Sequence, residues 1–88
     1  EGGLVADLLK LLLKIRSREI NVAPRLIVRT EELERLAAGD REGLEVLTGW
    51  RFEQFGQDAL DLVEGRLAFA VVNGKLKMTR THEEDLVT

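Results

Sequence analysis

Few side chains in this sequence are equipped for covalent chemistry. His82 is the single histidine, and it stands beside Glu83, Glu84 and Asp85 in the run "THEEDLVT". A metal site needs such groups held at fixed distances by a rigid frame, and a short polar run supplies none. No serine and carboxylate fall around His82 in a pattern that predicts a nucleophilic triad. The chain has no cysteine, which excludes thiol catalysis, disulfides and cysteine-bound zinc. Gly39, Gly43 and Gly49 are scattered and follow no strand, so no phosphate-cradling loop is expected. Carboxylates are abundant, but they fall on the polar faces of helices and read as solvated surface. No catalytic residue, no metal ligand and no cofactor is therefore expected in this chain.

The chemistry that remains is electrostatic and aromatic. Net charge is −3, but it is unevenly spread. Residues 1–30 carry Lys10, Lys14, Arg16, Arg18, Arg25 and Arg29 against Glu1, Asp7 and Glu19, whereas residues 31–65 are strongly acidic. A domain that binds nucleic acid tightly and alone is usually basic overall. Here the first thirty residues could at most build one basic side. The second concentration is "LTGWRFEQFGQDAL", which holds the only tryptophan. Arg51 falls at a helix start, where the dipole disfavours it. It therefore calls for either a carboxylate partner or a phosphate. Trp50 is placed with the core as a packing anchor; an exposed Trp50 would instead point to stacking on a base.

Certain elements must position these groups. The 88 residues, 44% of them hydrophobic, make one domain. A chain of that size buries only about 60–65% of its unfolded surface. Leu4, Leu8, Leu11, Leu12 and Ile15 recur at helical spacing and predict a helix over 4–19. Its apolar arc is widened by Val5, Leu9 and Leu13. Such a helix is either covered on two sides by its own domain or docks one edge on a neighbour. Pro24 predicts a short helical turn over 24–28. Thr30 is the expected N-cap of "EELERLAA", which stops at Gly39. A further turn is expected over 43–48, and a long helix runs from Trp50 to Glu64. Gly56 inside that helix implies the close approach of another helix, because glycine there costs roughly 0.5–1 kcal/mol. The predicted core comprises Leu8, Leu12, Ile15, Leu36, Leu47, Trp50, Phe52, Phe55, Gly56, Leu60 and Val63.

The period then changes to two around Asn73-Gly74, the preferred dipeptide of a type I′ hairpin turn. The turn sets the register: Val72 opposite Lys75, Val71 opposite Leu76, Ala70 opposite Lys77, Phe69 opposite Met78. Leu67, Phe69, Val71, Leu76 and Met78 then share an apolar face that needs a partner surface. Residues 82–88 are expected as a flexible tail. No secretory signal is visible. "LVADLLKLLLKI" is interrupted by charge and is shorter than the ~20 residues that span a bilayer. A cytoplasmic protein without membrane contact is expected, and the start at Glu1 suggests a piece of a longer one.

The succession "VAPRLI", "EELERLAAGD", "LEVLTGW", "FGQDALDLVEG" after a leucine-rich first helix resembles the HRDC domain, the helicase-and-ribonuclease-D C-terminal module. "LTGWRFEQFGQDALDL" looks most like the second, C-terminal HRDC-like domain of ribonuclease D. The resemblance covers about residues 4–65. It implies a mainly α fold: a compact HRDC-like bundle of four to five helices (about 4–65) with an appended C-terminal β-hairpin (about 66–80). Residues 1–81 would form the single domain. The hairpin and the purely aliphatic first helix depart from the common HRDC pattern, and the acidic balance argues against strong autonomous RNA binding.

Ribonuclease D is a metal-dependent 3′-to-5′ exoribonuclease that trims precursors of transfer and other small stable RNAs, and its catalytic carboxylates lie in a separate nuclease domain. The resemblance thus implies a noncatalytic accessory domain. It would pack on the nuclease domain of the same polypeptide, which holds the divalent metal, and help guide RNA to it. Lys10, Lys14, Arg16, Arg18, Arg25, Arg29 and Arg51 are the candidate RNA contacts. The alternatives are a protein-interaction or dimerisation module without nucleic-acid contact, and the HRDC domain of a RecQ-type helicase.

Overall fold

A computed structural model describes residues 2–80. The expected tail, with His82, lies outside the described residues. The fold is mainly α with a C-terminal antiparallel hairpin, as the sequence predicts. The first helix, α1 (Gly2–Ile20), ends where Asn21 turns to a φ of 58° and the Val22 N–H reaches back to the Ser17 carbonyl at 3.2 Å. A single turn, α2 (Pro24–Ile27), follows with proline at its first position, where the missing N–H is harmless. α3 (Thr30–Ala37) closes with Gly39 at a φ of 94°. The Asp40 N–H then bonds to the Arg35 carbonyl at 2.9 Å and the Gly39 N–H to that of Leu36 at 3.0 Å, a Schellman closure.

The N-cap of α3 is Arg29 rather than Thr30, which is already helical. The shift by one puts Glu32 at the third helical position. Its carboxylate accepts the Arg29 N–H at 3.4 Å and the Val46 N–H at 3.4 Å. Glu32 is consequently buried. It joins the start of α3 to the 3₁₀ turn Glu45–Leu47.

The long helix runs from Gly49 to Val63, but not as one regular spiral. α4 (Gly49–Arg51) passes into a π-helical turn, Phe52–Gly56, and then into α5 (Gln57–Val63). The Gln57 N–H bonds to the Phe52 carbonyl, five residues back. Phe55 and Gly56 are both buried. A Cβ on Gly56 would overlap the Val46 carbonyl oxygen, so the 3₁₀ turn lies directly against the helix backbone. The close approach expected at Gly56 is made by a turn, not by a second helix.

β1 (Leu67–Val72) and β2 (Lys75–Arg80) pair in the register set by Asn73-Gly74, from Val72 opposite Lys75 to Leu67 opposite Arg80. Asn73 and Gly74 have φ of 53° and 77°, as a type I′ turn demands. The hairpin docks only at its root. Leu67 is buried and Phe69 and Met78 are packed against the core, whereas Val71 and Leu76 stay exposed.

The core gathers Leu9, Leu12, Leu13, Ile27, Leu33, Leu36, Val46 and Phe55. Leu47, Leu60 and Val63 are half-buried against it. Ile15 and Phe52 are half-buried too. Two assignments need correction. Leu8 is 43% exposed and Trp50 is 44% exposed. For Leu8 the reason is geometric: α1 turns Ala6, Leu9, Leu12 and Leu13 inward, which rotates Leu4 and Leu8 to solvent. Both stripes are leucine-rich, so periodicity could not choose between them. No helix among the described residues is long and apolar enough to cross a membrane.

Candidate nucleic-acid interface

The predicted cations divide into three environments. Arg16 lies inside an ion network rather than at a free surface. It donates to the carboxylates of Asp58 and Glu19, and hydrogen bonding to Asp58 holds its pKa above the ordinary arginine value. Asp58 also receives Arg80, which bonds to Asp61 as well, and Asp61 receives Arg66. This chain of charges fastens the end of β2 to α5 and α1. Arg16 serves the fold here, and its guanidinium is largely committed.

Lys10, Lys14 and Arg18 stand exposed along one row of α1, spaced by four. None of them pairs with an acid among the described residues. Their row borders the exposed side of α1 that carries Leu4 and Leu8. An exposed cation on a long aliphatic stem suits phosphate contact, or the rim of an apolar contact, equally well.

The third environment brings together residues distant in sequence. Arg25, Arg29 and Arg51 line a hollow of about 150 Å³, with Glu32, Glu45 and Leu26. Arg51 is fixed there: its Nε–H donates to the Leu26 carbonyl at 3.2 Å, and its guanidinium lies 4.6 Å from the centre of the Trp50 ring. The helix start that disfavours Arg51 is thus offset by a carbonyl and a cation–π contact, not by a carboxylate. Arg29 makes only long ion contacts, 3.7 Å to Glu45 and 4.0 Å to Glu32. Arg25 is exposed and pairs with no acid among the described residues. The sequence points to Arg25, Arg29 and Arg51 but not to Leu26, Glu32 or Glu45, because spacing does not show that Arg51 reaches back to the Leu26 carbonyl.

Among the described residues no three His, Asp or Glu side chains converge as metal ligands. The close acidic pair on α5, Asp58 and Asp61, is engaged by Arg16, Arg66 and Arg80. A donor set already neutralised by guanidinium groups does not fit a divalent cation.

Comparison with known proteins narrows the setting. The chain is 74% identical, over 92% of its length, to ribonuclease D of Sphingobium indicum. It is 50% identical over 96% of its length to ribonuclease D of Zymomonas mobilis, and 53% identical over 78% to that of Acidiphilium cryptum. The chain is homologous to a segment of ribonuclease D. It spans about a fifth of the length of these relatives: 21%, 22% and 17% respectively. No family model matches the chain, and no solved structure matches it. The HRDC resemblance therefore rests on the motifs quoted above, and the link to ribonuclease D on sequence identity.

Proposed function

We propose that this chain is a noncatalytic, HRDC-like accessory part of a ribonuclease D-like 3′-to-5′ exoribonuclease. It packs on the nuclease domain of the same polypeptide and helps guide precursors of transfer and other small stable RNAs to it, in the cytoplasm. The single observation that carries this reading is the 74% identity to a ribonuclease D of which the chain spans only 21%. Two structural features agree with it. Leu4 and Leu8 lie open on α1, as expected of a surface that another domain covers. Exposed cations on α1 and α2 offer phosphate contacts that an otherwise acidic chain would lack. The open apolar row also supports the reading of an interaction module, and the two roles are compatible.

The test uses the full-length polypeptide. Charge reversal at Lys10, Lys14 and Arg18 is expected to weaken RNA binding and to flatten its salt dependence by about 0.7 log units per lost contact on a single strand. Hydrolysis of a minimal oligonucleotide that reaches only the nuclease domain should be unchanged. Unaltered RNA affinity and salt slope would remove the electrostatic part of the role.

A further inference from the structure

We propose that Trp50 and the arginine-lined hollow beside it bind one nucleotide of single-stranded RNA, the base stacked on the indole and the phosphate held by Arg25 and Arg29. The inference rests on the RNA-guiding role above and gives that role a place on the surface. Trp50 is 44% exposed even though the Arg51 guanidinium lies over its ring at 4.6 Å. Bases stack on exposed aromatic rings of this kind. The indole also has a neighbour in place. Arg51 is tied to the Leu26 carbonyl at 3.2 Å, so the cation–ring pair is in place before any ligand arrives, which lowers the ordering cost of binding.

The adjoining hollow has the size and charge for one phosphate. At about 150 Å³ it falls below the ~300–1,000 Å³ of a pocket that encloses a whole drug-sized ligand. Arg25 brings a guanidinium that pairs with no acid among the described residues, and Arg29 is held by contacts of 3.7 and 4.0 Å, too long for strong hydrogen bonds. A phosphate would offer Arg29 a shorter, two-pronged partner than Glu45 does. Glu32 is already bound to two backbone N–H groups and competes less. Stacking with phosphate contact and no base-edge readout predicts preference for unpaired RNA and tolerance of sequence.

Binding of the full-length polypeptide to labelled oligouridylate, and to a matched RNA duplex, tests the site. Trp50→Ala should weaken single-strand binding roughly 5- to 100-fold and leave duplex binding nearly unchanged, while Trp50→Phe keeps most of the affinity. Arg25→Gln with Arg29→Gln should flatten the salt slope by about 0.7 log units per contact, and Glu45→Gln should tighten binding by removing the competing carboxylate. Full single-strand affinity in Trp50→Ala overturns the proposal, as does equal loss on single strand and duplex. If deleting residues 1–80 lowers RNA affinity and Trp50→Ala does not, the guiding role stands and this site is wrong. If the deletion leaves affinity untouched, both fail.

Discussion

At the scale of single residues, Gly56 is the most tightly enclosed of the described glycines. Helix propensity alone would favour alanine there by about 1 kcal/mol. The structure opposes this, because the added methyl meets the backbone oxygen of Val46 and lies 3.3 Å from Phe52 Cδ1. A backbone carbonyl cannot rotate away as a side chain could. Gly56→Ala should therefore destabilise the fold by about 1–3 kcal/mol or more, the range of overpacked cores, read as a lower urea midpoint. Gly3 is the contrast: nothing lies within 4 Å of its would-be Cβ. Gly3→Ala should leave stability unchanged or raise it by up to about 1 kcal/mol. Sequence spacing flagged Gly56 through the glycine's anomaly within a helix. It gave no such sign for Glu32, whose carboxylate looks like an ordinary first-turn acid yet is buried against two N–H groups.

At the scale of elements, the hairpin shows how far local rules reach. Asn73-Gly74 dictated every pair in the ladder, because a two-residue I′ turn leaves no freedom of register. The π-helical turn at Phe52–Gly56 was not legible, since Val46, which lies against it, is outside the helix and its approach is not encoded in helical spacing. Nor was the ion network that holds the hairpin. Burial by itself pushes the Asp61 carboxyl up, but hydrogen bonds from Arg66 and Arg80 outweigh it and leave the pKa lowered. A carboxylate lowered by folding contributes stability that is present above its unfolded value, about 3.9. That stability is lost as pH falls through the lower, folded value. Stability should thus decline below about pH 4, and Asp61→Asn should make that decline shallower without abolishing it. Asp40, lowered by its bond from Arg35, and Glu64, lowered by Arg66, contribute in the same direction. Arg80→Ala should speed amide exchange in β1 and β2 more than in α1, because only the hairpin loses its fastening. Uniform acceleration would mean that the hairpin opens only with the whole fold.

At the scale of the whole molecule, the decisive feature is the side of α1 that the domain leaves open. The wide leucine arc announced two apolar stripes, and packing chose the one through Leu9 and Leu12. The other keeps Leu4 at 66% and Leu8 at 43% exposure, with Lys10, Lys14 and Arg18 along its border. Leucines open at that level contribute little to the domain's own stability, so replacing them separates folding from docking. Leu4→Ser with Leu8→Ser should change the urea midpoint by no more than a surface substitution does, within about 0.5 kcal/mol for each site. In the full-length polypeptide the same pair should weaken packing on the nuclease domain. Limited proteolysis should then cut between the two domains faster, and RNA affinity should fall through lost geometry while the salt slope stays unchanged. That last pair of readouts separates docking from charge: the arginine and lysine variants move the slope, the leucine variant does not. A double-serine protein that resists protease as well as its parent would show that α1 covers nothing. Concentration-dependent sedimentation that disappears in the serine variant would instead identify the cover as a second copy.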